Sequence, residues 1–273
     1  MNASLLSTLQ TPFMVNAFIA GFLISITAGI IGYFVIARKT AFAAHALAHI
    51  GLPGATGAAL LGLPVSLGLG VFALAGALTI GAMGKKASKR EVATGSILAF
   101  AMGLGLFFAR MSSAANAQMQ SILFGSILTV SPSQLLVIAA VDVVLLVVLP
   151  IIYRPLLFST VDENVAQAKG IPIQAMNMIF MAMMAAVITI SVQAVGTLLI
   201  FALVVTPAAA AQVFARSPLT SMLWASLICL VSLWGGLFIA AAVPVPPSFA
   251  IVTISTVIWA VSQSLVRSLR KEL

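Results

Sequence analysis

Apolar residues run along this chain in long blocks separated by short polar or glycine–proline stretches. Blocks close to the roughly 20 residues that cross a bilayer fall at about 14–36, 42–61, 65–84, 92–112, 134–153, 173–193, 196–215, 219–242 and 248–266. The pattern predicts an all-α, polytopic membrane bundle of about eight to nine transmembrane helices, forming one transmembrane domain over residues 1–273. Several blocks, such as GFLISITAGIIGYF and GLGVFALAGALTIGAMG, are rich in Gly and Ala, which lets neighbouring backbones approach closely. One segment disturbs the count: QSILFGSILTV, Gln120 to Val130, is too short for an ordinary span and too apolar for a wet loop. It is expected to be re-entrant, and a true crossing there would invert the first half of the chain.

Composition agrees with the pattern. Hydrophobic residues make up 62% and charged residues 7%, whereas a soluble domain carries about 25% charged residues; the mean hydropathy is +1.21. The polar surface is too small to cover a globule in water, so the bilayer is the solvent. The start, MNASLLSTLQTPF, has no basic segment, and the apolar run from Met14 to Ala37 is longer than the core of a signal peptide, so it reads as a first span.

The net charge of +8 does not indicate nucleic acid, because the basic residues sit in short clusters between apolar blocks. With nine spans, Arg38, Lys39, the Lys85–Arg90 cluster, Arg154, Lys169, Arg216, Arg267, Arg270 and Lys271 all fall on one side, which the positive-inside rule makes cytoplasmic. The N-terminus is then outside, the C-terminus inside, and Arg110 is the one outward exception. The single cysteine, Cys229, lies within a span, so no disulfide or thiolate metal cage can form in one chain. No GxxxxGK[ST] phosphate cradle occurs, so the chain is expected not to hydrolyse ATP by itself.

An ionisable group inside a bilayer costs roughly 2.5–3.5 kcal/mol on insertion scales, and therefore marks candidate chemistry. Three residues qualify: His45, His49 and Asp142. The two histidines, the only ones in the chain, are four residues apart, which on a helix places both rings on one face a turn apart. They can serve as a metal pair, because neutral imidazole ligates zinc and other divalent first-row ions. Two ligands do not close a tetrahedral site, and a transported ion must also leave. Equally, both rings can simply hydrogen-bond neighbouring helices. The following GLPGATG, with Pro53, is expected to break the helix beside the pair.

Asp142, an intramembrane polar candidate in VIAAVDVVLLVV, can pair with a Lys or Arg of another helix, the first expectation, help a cation along, or be protonated and hydrogen-bonded. Gln193, Thr206 and Asn177 read as helix glue, and the methionines of MNMIFMAMM as gap-filling side chains. The stretch of about 159–172, within STVDENVAQAKGIPIQA, differs from the rest. Ser159 or Thr160 is expected to cap a short amphipathic helix with Asp162 and Glu163 in its first turn, ended by Gly170 and Pro172. As the only soluble-looking helix, it is a candidate docking element on the cytoplasmic face.

Four segments in order, GIIGYFVIARKTAFAAHALAHIGLPG, ILFGSILTVS, VDENVAQAKGIP and VGTLLIFALVVTPAAAA, make the chain resemble the membrane permeases of ABC importers for zinc, manganese or iron, related to the vitamin B12-type importers. The resemblance covers about Gly21 to Val257. It implies alternating-access import of a divalent transition-metal ion, either zinc or manganese, across the inner cell membrane, with no bound cofactor. The implied partners are cytoplasmic ABC ATPase subunits, an extracytoplasmic metal-binding protein and a second permease copy, most simply a homodimer, in contact with membrane lipid and without nucleic acid.

By position, the resemblance assigns Asp162, Glu163, Ala166 and Gly170 to a coupling helix that transmits ATP-driven movement. It also implies an aspartate–histidine pair on the metal path. Here His49 matches the histidine and His45 stands at the aspartate position, which tilts the expectation toward zinc. A rival reading is a proton-coupled secondary carrier using Asp142 and the histidines. A membrane di-iron or haem enzyme would need more ligands than the residues provide.

Overall fold

The computed structural model describes residues 7–83 and 87–269. Lys85, Lys86, Arg270 and Lys271 lie outside them, as do the side chains of Lys89, Arg90 and Arg267. The first half of the chain forms α1 (Pro12–Ala37), α2 (Ala41–Ile50), α3 (Leu52–Leu61), α4 (Val65–Ala82), α5 (Ala87–Met111) and α6 (Ser113–Phe124). After a short 3₁₀ turn at Ile127–Thr129 come α7 (Pro132–Val161), α8 (Glu163–Ala168), α9 (Ile173–Val195), α10 (Thr197–Phe214), α11 (Pro218–Ala242) and α12 (Pro247–Leu269). Among the described residues, eight helices are long and apolar enough to cross a membrane unbroken. That agrees with the polytopic bundle expected from the apolar blocks.

The chain divides into two compact units, the first made of residues up to Ile36, Ser126–Asp142 and Leu198 onward, the second of Ala37–Gly125 and Val143–Thr197. In the first, small residues bring helices into backbone contact. A Cβ on Gly29 would fall 2.3 Å from the Ser226 amide nitrogen, and one on Gly32 would fall 2.2 Å from the Val204 carbonyl oxygen. The space is instead occupied by the neighbouring helix itself, as expected where lipid supplies no hydrophobic drive and packing must hold the bundle. Ala208, Ala210, Ala211, Ala225 and Ile228 form a buried cluster beside Ile36 and Ile258. α11 starts with a reciprocal Ser217–Thr220 capping box and Pro218 in its first turn, which meets the orphan amides of the helix start.

In the second unit, α4 packs along α9 and α3, while α3 also contacts α5 and α6. Gly54 and Gly68 sit so close that a Cβ on Gly54 would be 2.0 Å from the Gly68 carbonyl oxygen. α9 is the most enclosed of the membrane-length helices. Its Met176, Met181, Met183 and Met184 are buried and fill space between neighbours, the role read from their sequence.

The apolar block over 42–61 is two ten-residue helices in series, α2 and α3, broken at Gly51, as the GLPGATG stretch with Pro53 led one to expect. The break falls just before Pro53, which occupies the first turn of α3, where its missing N–H is no loss. Gly51 keeps right-handed helical angles (φ −69°, ψ −19°), so the hydrogen-bond ladder is interrupted without a chain reversal.

The contacts of this unit decide the sidedness of the pair. Arg38, before α2, bonds to Ser159 and Thr160 at the end of α7 and to Asn177 near the start of α9. Gly81, at the end of α4, packs on Met178 and Asn177 at the same level, whereas Gly70, near the start of α4, faces Thr189 further along α9. α2 and α3 therefore leave the level of Asn177 together and α4 returns to it, which makes the broken pair a ninth candidate crossing among the described residues.

Residues 120–130 do not cross. α6 ends at Gly125 (φ +60°), which meets Gly196 (φ +84°), the residue that terminates α9 at the end remote from Asn177. Within the first unit, Asn16 at the start of α1 donates to the carbonyl of Val130. The feared inversion of the first half is absent.

Candidate functional site

His45 and His49 follow from helix geometry as the spacing predicts. Their rings lie 4.9 Å apart between centroids at 72°, one turn apart on one face of α2. α2 is enclosed by α4, α5 and α9. His49 is 8% exposed, and its Nδ1 is buried without a hydrogen-bond partner. His45 is half-buried. Among the described residues no third His, Cys, Asp or Glu joins them in a cluster. The arrangement offers at most two imidazole donors to an ion, a set suited to hand-over rather than to permanent capture. The Gly51 break leaves less free backbone here than expected, since the Gly51 amide donates to the His49 carbonyl and the Thr56 hydroxyl donates to that of Leu52.

The soluble-looking helix is present as α8, with one correction to its start. Asp162, not Ser159 or Thr160, is the cap: its carboxylate accepts from the amides of Asn164 (2.9 Å) and Val165 (3.0 Å). Glu163 opens the first turn, where its charge complements the positive end of the helix. Ala166 is fully buried. Gly170 adopts φ +79° in open space, a conformation that costs other residues about 1–2 kcal/mol; from there the Ile171 amide bonds back to the Ala166 carbonyl. Asp162, Val165, Gln167, Lys169 and Gly170 are exposed, while Ala166 is turned inward, so α8 presents an exposed face.

Ser159 and Thr160 remain in the last turn of α7, where both hydroxyls donate to the Leu156 carbonyl. They also accept from Arg38 Nη1 at 3.1 and 3.0 Å, while Nη2 donates to the Asn177 side-chain oxygen. The guanidinium carbon sits 5.2 Å from the Phe180 ring centroid. Sequence reasoning placed Arg38 among the anchors of membrane orientation and missed this internal role. The hint available was Asn177, a half-buried amide whose oxygen calls for a donor near a span end.

Asp142 is 3% exposed in the middle of α7. The expected pairing with Lys or Arg is not formed: neither carboxyl oxygen has a hydrogen-bond partner, and the Thr27 hydroxyl, directed toward it, spends its own donor on the α1 backbone. Asp142 belongs to the first unit and the His pair to the second. Cys229 is fully buried and unbonded, the packing role expected of it.

The chain belongs to the ABC 3 transport family, whose family model matches residues 10–266. It is 30% identical over 263 residues to the manganese import system permease protein ScaB of Streptococcus parasanguinis, covering 96% of this chain and 94% of that protein. It is 29% identical over 255 residues to the manganese transport system membrane protein MntC of Halalkalibacterium halodurans, covering 93% and 87%. Among solved structures, a chain of PsaBC from Streptococcus pneumoniae, in complex with Fab, superposes with a TM-score of 0.85 at 29% identity, covering 96% of this chain and 95% of that one. The chain is thus a multi-pass permease subunit of an ABC importer in the cell membrane, a transport component and not an enzyme.

Proposed function

We propose that this permease imports a divalent first-row transition-metal ion by alternating access, with His45 and His49 as contacts on the ion's path and manganese as the principal cargo. The observation that carries the reading is the pair of adjacent imidazoles, the only ones in the chain, inside an interrupted membrane span. The names of the relatives ScaB and MntC support manganese. A second reading, zinc, is favoured by the donor set itself. Two imidazoles without a carboxylate suit zinc better than the harder manganese ion.

In this reading α8 is the coupling helix. Asp162 fixes its start, Glu163 and Gly170 shape the face offered to a cytoplasmic ATPase, and Ala166 seats it on the membrane body. An extracytoplasmic metal-binding protein delivers the ion, and a second copy of the permease completes the path. Membership of the ABC 3 transport family argues against the proton-coupled carrier, which needs no ATPase.

The test is uptake of radioactive manganese and zinc by cells expressing the permease with its ATPase and delivery protein. Wild type is compared with His45→Ala and His49→Ala at matched membrane expression. Either substitution is expected to cut uptake of the preferred ion by about tenfold or more, the scale on which altered ligand shells change metal handling. Uptake untouched by both would make the histidines helix glue and remove them from the path. The wild-type ratio of manganese to zinc decides between the two ions.

A further inference from the structure

Arg38 joins three stretches that are remote in sequence. Its guanidinium bonds to Ser159 and Thr160, three and two residues before the α8 cap at Asp162. The same group bonds to Asn177 and stacks on Phe180, both in the first two turns of α9, which begins just after Gly170. Both flanks of α8 are therefore held by one planar, multi-donor side chain, a geometry that the ammonium of lysine cannot reproduce.

On its other side, Arg38 is followed by Lys39, the only described residue other than glycine with positive φ (+54°), and then by α2. That tight corner leaves little slack between the guanidinium's own backbone and the half-helix carrying His45 and His49. α2 is ten residues long and ends at Gly51, so it forms a short rigid rod with a break in its hydrogen-bond ladder at the far end.

We propose that Arg38 is the positioning residue that carries movement of the α8 region to the histidine-bearing half-helix, acting as a cross-brace between the coupling segment and the ion path. The inference rests on the reading of α8 as the ATPase-coupling helix. When α8 is displaced, the end of α7 and the start of α9 move with it, and their bonds to Arg38 shift the first turn of α2. The interruption at Gly51 allows α2 to tilt without dragging α3, which is fastened to α4 by the Gly54–Gly68 contact. Arg38 touches neither ion nor ATPase. Its removal is therefore expected to separate hydrolysis from transport, and not to abolish hydrolysis.

The experiment uses the whole transporter, permease with ATPase and delivery protein, in proteoliposomes. ATP hydrolysis and uptake of manganese and of zinc are measured together, so that ions moved per ATP is the readout. Arg38→Ala is expected to assemble with the ATPase and hydrolyse ATP, with ions per ATP lowered about tenfold, the size of energetic coupling that residues along such networks carry. Arg38→Lys, which keeps the charge but cannot hold both flanks, is expected to fall between wild type and Arg38→Ala.

An unchanged ratio in Arg38→Ala would overturn the proposal. If that variant does not assemble, Asn177→Ala, which releases one flank only, is read in its place, and an unchanged ratio there overturns the proposal equally. Glu163→Ala runs alongside and separates the two readings. If it leaves ATPase binding and coupling normal, the docking role of α8 fails; if it uncouples while Arg38→Ala does not, only the role of Arg38 fails.

Discussion

His45 and His49 meet because two residues four apart on a helix must, whatever surrounds them. What surrounds them is a half-helix enclosed by three others, with the buried Nδ1 of His49 lacking a hydrogen-bond partner. The chemistry of the pair makes a direct prediction for ion choice. His45→Asp replaces one borderline nitrogen donor with a hard, anionic oxygen donor, and hard donors favour manganese over zinc. The ratio of manganese to zinc uptake is expected to rise by several-fold, on the order of the fold-changes attached to single ligand-shell changes. A ratio that is unmoved or reversed, at equal expression, would show that residue 45 does not contact the ion. Asp142 illustrates the opposite lesson: its position in a span was readable, but its lack of a basic partner was not, because that depends on which side chains other helices turn toward it.

At the scale of elements, the connections carry more information than the spans. The two helix ends at Gly125 and Gly196 lie backbone against backbone, with both residues at positive φ. A Cβ on Gly196 would fall 2.6 Å from the Phe124 carbonyl carbon, so Gly196→Ala demands both an unfavourable conformation and displacement of a neighbouring chain. Gly62 has a similar φ of +68° but open space around it. Gly62→Ala is therefore expected to cost only the conformational penalty, about 1–2 kcal/mol, while Gly196→Ala costs clearly more. Thermal unfolding of the detergent-solubilised permease checks the order; equal losses would contradict the close contact at Gly196. The same contact explains why residues 120–130, apolar as they are, stay at one end of the second unit. Nothing local to QSILFGSILTV could have shown this, since its partner lies some 70 residues on.

For the molecule as a whole, the sidedness rests on contacts that agree with the charge distribution. Arg38, Ser159, Thr160 and Asn177 share one level, and Gly125 and Gly196 the other. Exposed positions on either side then make a labelling prediction, with little background because Cys229 is fully buried. In intact cells, single cysteines at Gly62 and Ser113 are expected to react with a membrane-impermeant maleimide. Cysteines at Lys39 and Lys169 are expected to react only after the membrane is opened. Protection of position 62 with reaction at position 39 would invert the first half and break the nine-crossing account.

By itself the sequence determined the membrane-spanning blocks, the facing histidines, the break at GLPGATG and the existence of the short acidic helix. Each depends on hydropathy, helical repeat or turn chemistry acting within about 25 residues, which the bilayer's thickness and the geometry of one helix enforce. Only the tertiary structure decided that Gly125 stops short of crossing, that Asp142 lacks a basic partner and that Arg38 bonds to both flanks of α8. Those outcomes turn on contacts such as Arg38 with Ser159, 121 residues apart, and the choice among such partners is made by how small residues let particular helices close on one another.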